Sequence, residues 1–123
     1  MVLLIGIDPD AVDYTAPGTP PGLNATAAKE GRDLVIEMFA AQGDRCDLCE
    51  LGPDADPDAI LNAKLAHTAY DCVLIGGGLR VPQSTLPLFE AVLDAVRRHS
   101  PGTAIAFNTR PEDSVKAVAR RIP

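Results

Sequence analysis

A chain of 123 residues with 46% hydrophobic content has material for one compact core and too little for two. Charged residues make up 23%, close to the globular average, which excludes wholesale disorder. Eleven basic residues against seventeen acidic ones give a net charge of -6, so neither nucleic acid nor an anionic membrane is an expected partner.

Strand and helix signals alternate from the start. Val2 to Ile7 is an unbroken apolar run, the mark of a strand buried on both faces. It has no basic leader and runs straight into Asp8, so it does not read as a signal peptide. No apolar run approaches the roughly 20 residues of a spanning helix. One soluble, cytoplasmic domain over residues 1–123 is expected.

A long loop follows, from Asp8 to Asn24. It holds Asp8, Asp10, Asp13 and Tyr14 among Pro9, Pro17, Pro20 and Pro21. Loops of this length in small domains are usually functional or disordered, and prolines reduce the entropy lost on ordering. It reads as a semi-rigid flap; a solvated loop or an oligomer contact are the alternatives.

The first helix is predicted over Thr26–Gln42, with Gly31, Leu34, Val35, Met38 and Phe39 at helical spacing. Gly43 is placed to end it with positive φ. The second strand, Arg45–Leu51, contains Cys46-Asp47-Leu48-Cys49. A redox C-x-x-C opens a helix, where the dipole favours the thiolate. On a strand, residues three apart face opposite ways. The two sulfurs then diverge, and neither a shared metal nor a bridge is expected. A third cysteine, Cys72, leaves an odd number and no disulfide framework.

Asp56 is placed to cap a second helix, with Pro57 as its first residue and Ile60, Leu61 and Leu65 facing inward. The third strand, Asp71–Gly76, is again almost wholly apolar. A loop over Gly76-Gly77-Gly78-Leu79-Arg80-Val81-Pro82-Gln83 leads to a third helix, Thr85–Arg98, with Phe89, Val92, Leu93 and Val96 inward. After a turn at Ser100-Pro101-Gly102 comes a fourth strand, Thr103–Phe107. Thr109-Arg110-Pro111-Glu112 fits a capping box. It opens a last helix that carries Val115, Val118, Ala119 and Ile122 to the end of the chain.

Four βα units with two all-apolar strands imply an α/β three-layer sandwich around a four-stranded parallel sheet. Right-handed crossovers favour the order 2-1-3-4, with strands 1 and 3 central. The charged second strand (Arg45, Asp47, Glu50) suits an edge. This run of elements resembles flavodoxin-like and Rossmann-like folds, and receiver domains in particular, over most of the chain. Such folds usually carry a fifth strand and helix. Here either the last helix covers a bare stretch of sheet or a second subunit does, and a homodimer is expected.

Open parallel sheets bind ligands outside the carboxyl ends of their strands, where strand order reverses. For order 2-1-3-4 that place lies between strands 1 and 3, flanked by Asp8–Asn24 and Gly76–Thr85, with Asn108, Thr109 and Arg110 beside it. His67, Tyr70, Asp71 and His99 fall at the opposite end. A histidine triad and a zinc site are therefore not expected.

Gly76-Gly77-Gly78 permits positive φ and close approach of a ligand to backbone N–H groups. It is neither a G-x-G-x-x-G fingerprint, since Val81 holds the last position, nor a P-loop, since no Gly-Lys-Ser/Thr follows. Arg80 suits a two-point anion clamp, or alternatively an ion pair with Asp8 or Asp10. Asp8, at the end of the first strand, is placed as a general base or acid.

In receivers, acids after the first strand hold magnesium and an Asp ending the third strand takes the phosphoryl group. Asp8 and Asp10 match the first feature loosely. The third strand ends instead on Gly76-Gly77, and Asn108-Thr109-Arg110 stands where receivers carry a Lys. The resemblance thus implies a receiver-like chain without a phosphoacceptor.

Two functions follow. One is a small cofactor-independent enzyme of lyase, isomerase or hydrolase type, acting on a small polar or anionic substrate. Gly76, Gly77, Gly78, Arg80, Gln83, Asn108 and Arg110 would bind it, with Asp8, Asp10 and Tyr14 as catalytic residues. The alternative is a non-phosphorylatable pseudo-receiver, a small-molecule-binding or signalling module. No metal or cofactor is expected. With two tyrosines, three phenylalanines and no tryptophan, only Tyr14 is placed to stack on a flavin or nicotinamide ring.

Overall fold

Two apolar strands lie side by side at the centre of the sheet: β1 (Val2–Ile7) and β3 (Cys72–Ile75). The computed structural model, which describes residues 1–123, flanks them with β2 (Cys46–Leu51) and β4 (Ala104–Phe107). All neighbours pair in parallel, in the order β2-β1-β3-β4. This is the expected three-layer α/β architecture, and its topology is flavodoxin-like.

Strand alternation divides the core into two layers. Leu3, Ile5, Val73 and Ile75 face α2 (Pro57–His67) and α4 (Leu86–His99). Val2, Leu4, Cys72 and Leu74 face α1 (Ala25–Ala41) and α5 (Ser114–Ala119). The two-residue period of a strand puts every second side chain on the same face, so both faces of β1 and β3 must be apolar. The second strand follows the same rule: Cys46 lies in one layer and Cys49 in the other. The C-x-x-C sulfurs diverge, as its strand placement requires. All three cysteines are free and buried.

Local signals fix several boundaries. The Asp56 carboxylate accepts from the Asp58 and Ala59 N–H groups, with Pro57 at the first helical position. Gly43 takes φ of +76° after α1. Asn24 caps the start of α1 by accepting from Ala27 N–H at 2.9 Å.

Three expectations fail. The glycine run is not an open loop: Gly77–Arg80 forms a single helical turn, α3, and none of Gly76, Gly77 or Gly78 has positive φ. Leu79 drives this, because its fully buried side chain anchors the turn in the core beneath α4. The capping box at Thr109 is absent. Instead the Asp113 carboxylate reaches back and accepts from the Thr109 N–H at 3.0 Å and from its hydroxyl. The last helix stops at Ala119 rather than reaching the end, and beyond it the Arg120 and Arg121 side chains donate to carbonyl groups of β4.

Candidate functional site

The C-terminal ends of β1 and β3 carry the two loops that the sequence singles out. Asp8 follows β1 directly, and its N–H extends the β1–β2 ladder by donating to Leu51 O at 2.8 Å. Its carboxylate accepts from the Asp10 N–H at 3.0 Å and so opens a 3-10 turn over Pro9–Ala11. Asp10 is exposed and pairs with Lys29 at 3.0 Å, tying the loop to the first turns of α1. Tyr14 donates its hydroxyl proton to Pro9 O at 2.6 Å. Burial, then the Asp10 charge, raise its pKa above the ordinary tyrosine value. Asp13 accepts from the Thr15 hydroxyl and N–H, which lower its pKa. These bonds tie the loop to itself and to α1.

Arg80 lies on the other side of the crevice, on α3. It pairs with neither Asp8 nor Asp10, which corrects that sequence alternative. Its Nε donates to Ile75 O at 3.2 Å, and its Nη2 donates to Asn108 O and, at 3.3 Å, to Asn108 Oδ1. Its guanidinium sits 5.4 Å from the Phe107 ring centroid, within cation–π range. Burial pulls its pKa below the ordinary arginine value. Ile75 ends β3 and Asn108 follows β4, so Arg80 clips the ends of two adjacent strands together.

Asn108 is buried and passes the connection on, donating from Nδ2 to the fully buried Ser114 Oγ at 3.0 Å. This chain of bonds joins α3, β4 and α5. Thr85 closes the far side of the loop by donating to Leu79 O at 2.8 Å. Gly78 is needed there for space, since a Cβ would come within 2.9 Å of Ile7 Cγ2.

The structure thus gathers Asp8, Gly76, Gly77, Gly78, Arg80 and Asn108 at one end of the sheet. Asp10 and Tyr14 belong to the self-contained loop. Gln83 and Arg110 are exposed, and Arg110 has only a 4.0 Å contact with Glu112. Gly77 and Gly78 begin a helical turn, where the first N–H groups have no intrahelical partner. Leu79 and Val81 N–H close that turn on Gly76 O and Gly77 O.

His99 and Tyr70 are engaged away from these loops. His99 Nε2 lies 2.9 Å from Asp58 Oδ1, and Tyr70 donates to Asp47 at 2.5 Å. No group of three or more His, Cys, Asp or Glu is arranged to hold a metal ion. No helix is long and apolar enough to cross a membrane.

Sequence reasoning missed Arg120 and Arg121. Their Nη2 and Nε reach Phe107 O at 3.3 Å and Ile105 O at 3.0 Å. The available signal was a pair of arginines after a short helix, packed beside an edge strand. No protein-family model, curated protein or solved structure matches the chain.

Proposed function

We propose that this chain is a small-molecule-binding or signalling module, a receiver-like domain without a phosphoacceptor, and that its ligand is small and polar or anionic. The observation that supports this over acid–base catalysis is that Asp10 and Tyr14 are engaged by other partners and that one oxygen of Asp8 caps a turn. Asp8 caps a turn, Asp10 pairs with Lys29, and the Tyr14 hydroxyl donates a hydrogen bond to Pro9 O. Arg80 is spent on carbonyl groups of the sheet. A catalytic acid or base must reach the proton it moves, and Asp10 and Tyr14 are held by Lys29 and Pro9 O.

The recognition groups left open are the N–H groups at Gly77 and Gly78, the exposed Gln83 and the exposed Arg110. Such donors recognise negative or carbonyl oxygen. A scaffold stapled by Arg80 keeps them fixed, and fixed donors reduce the entropy lost on binding. One observation favours the enzyme reading: of the two Asp8 oxygens, only Oδ1 accepts a hydrogen bond.

A titration of labelled protein with inorganic phosphate and with succinate, followed by amide NMR, tests the reading. Shifts should concentrate at 76–80 and 108–110, persist in Asp8→Asn, and leave the added molecule chemically unchanged. Shifts confined to other regions would overturn the site. Conversion of the added molecule that Asp8→Asn abolishes would replace the module with an enzyme.

A further inference from the structure

The far edge of the sheet offers a site of a different kind. Strand β4 has β3 on one side and no strand on the other. Along a strand, alternate residues present N–H and C=O to one side. The carbonyl groups of Ile105 and Phe107 take bonds from Arg121 and Arg120, so these two residues face the open edge. Beside them runs a groove of about 500 Å³ lined by Leu93, Ile105, Phe107, Ala117, Arg120 and Arg121. Phe107 is 39% exposed there, a large apolar surface beside a strand edge whose carbonyl groups are met by side chains rather than by a neighbouring strand.

The charges at this groove run against those of the chain. The molecule carries -6, yet the two charged residues lining the groove are arginines. Both are exposed, and neither has a carboxylate within ion-pair distance. Of the six other arginines, Arg32 pairs with Glu50, Arg45 with Asp47, Arg98 with Asp58 and Arg110, at 4.0 Å, with Glu112, while Arg80 and Arg97 have no carboxylate partner. A cationic side chain over an edge strand blunts unwanted pairing. Here the guanidinium groups also stand in for the N–H donors of an absent strand.

We propose that the open edge of β4 accepts an acidic peptide segment in extended conformation, which pairs with Ile105 and Phe107 as a fifth strand. The incoming N–H groups take over the Ile105 and Phe107 carbonyls. Arg120 and Arg121 are thereby released, and they turn to the carboxylates of the same segment. Because side chains alternate across a strand, one set of the peptide's residues meets Leu93, Ile105 and Phe107 on the α4 side. The other set meets Ala117 and the arginines. The recognised pattern is therefore apolar residues alternating with Asp or Glu, with backbone pairing for affinity and side chains for selection. A second copy of the chain is the less favoured occupant, because a symmetric pairing of two β4 edges brings four arginines together without a matching acid.

The test is fluorescence anisotropy of a labelled peptide alternating valine and glutamate, with amide NMR of the full chain. Saturable binding is expected, weakened on the order of tenfold or more in an Arg120→Ala/Arg121→Ala double variant. Protection should appear at Ile105 and Phe107. A valine–lysine counterpart should not bind. A valine–glutamate peptide with a central proline should lose affinity, because proline has no N–H to donate. Equal binding of the lysine peptide, indifference to the arginine substitutions, absence of saturable binding, or shifts elsewhere would each overturn the proposal. So would light scattering that shows a dimer whose Ile105 and Phe107 amides are already protected without peptide; the second copy would then be the occupant. Phe107, whose ring Arg80 faces, borders both sites, but Ile105, Arg120 and Arg121 lie outside the small-ligand site, so their response reads the edge even where that site is lost.

Discussion

The crevice above β1 and β3 and the open edge of β4 both hold arginines that donate to backbone carbonyl groups, yet the two arrangements differ in what is left over. Arg80 is partly buried, and its acceptors are the ends of two sheet strands and a buried Asn. Removing it strands those acceptors. Arg120 and Arg121 are exposed, and the carbonyls they cover have water as an alternative partner. The same bond type is structural in one place and exchangeable in the other, and burial decides which. A polar residue in a loop is available for a ligand only if the fold has no prior use for it.

The largest expected effect separates the two regions by stability. Arg80→Ala should lower unfolding free energy by about 3 kcal/mol, since a charged hydrogen bond contributes about 1.5–3 kcal/mol and each orphaned buried acceptor adds to the loss. Arg120→Ala and Arg121→Ala should each stay within about 0.5 kcal/mol of the parent, as exposed positions generally do. Urea denaturation of the three variants measures this. Equal losses at all three sites would erase the distinction between clip and cover.

Why Arg80 reads as a ligand clamp in the sequence is a physical matter. Its partners are the backbone oxygens of Ile75 and Asn108 together with one amide side chain, and a backbone acceptor leaves no residue-type signature. The sheet order is legible because β1 and β3 are apolar at every position, which only central strands tolerate. The diverging thiols of Cys46 and Cys49 follow from strand period alone. The turn at Gly77–Arg80 is not legible: three glycines argue against helix, and only the burial of Leu79 under α4 decides otherwise. The edge arginines were hidden for a related reason, since their acceptors, like those of Arg80, are backbone oxygens without a residue-type signature.

The cysteines extend the contrast between abundance and availability, with an effect spread over pH. Burial pushes the Cys46 and Cys72 thiols up to about 11 and raises Cys49 as well. Tyr70 is pushed up to about 12, first by burial and then by its bond to Asp47. The unfolded thiols titrate near 9.0, so the folded state holds more protons above that pH. Stability from the Cys46 and Cys72 thiols is present in full below about pH 9 and is lost as pH rises through about 11, and that from Tyr70 is lost later, through about 12. The urea midpoint should fall across that window, by less in Cys46→Ala/Cys72→Ala once corrected for the cavity. Ellman's reagent at pH 8 should find no reactive thiol in the native chain and three after unfolding. Rapid native reaction would show a thiol that the core does not enclose.

Asp8 gives a smaller and sharper distinction. Asn caps as well as Asp, whereas Ala does not cap. Asp8→Asn should therefore leave stability within about 0.5 kcal/mol, and Asp8→Ala should cost about 1 kcal/mol, the usual loss for an N-cap. A large loss in Asp8→Asn would mean that its charge, rather than its hydrogen bond, holds the crevice. That result would return Asp8 to the list of ligand-binding or proton-transfer groups.

The smallest expected effect concerns the loop that leaves β1. Lys29 and Asp10 meet at 3.0 Å with side chains 43% and 66% exposed. Water screens such a pair, and exposed ion pairs contribute about 0.2–1 kcal/mol at most. Lys29→Ala should shift the unfolding free energy by less than about 0.5 kcal/mol, and added salt should shrink the difference further. The loop does not depend on this contact for its form. Tyr14 to Pro9, Thr15 to Asp13 and Thr19 to Ala16 all close within it. Amide exchange should therefore stay unchanged at Asp10–Thr19 in Lys29→Ala and quicken in Tyr14→Phe, which removes the hydroxyl that spans the turn. Faster exchange in Lys29→Ala alone would mean that α1, rather than the loop's own hydrogen bonds, sets its conformation.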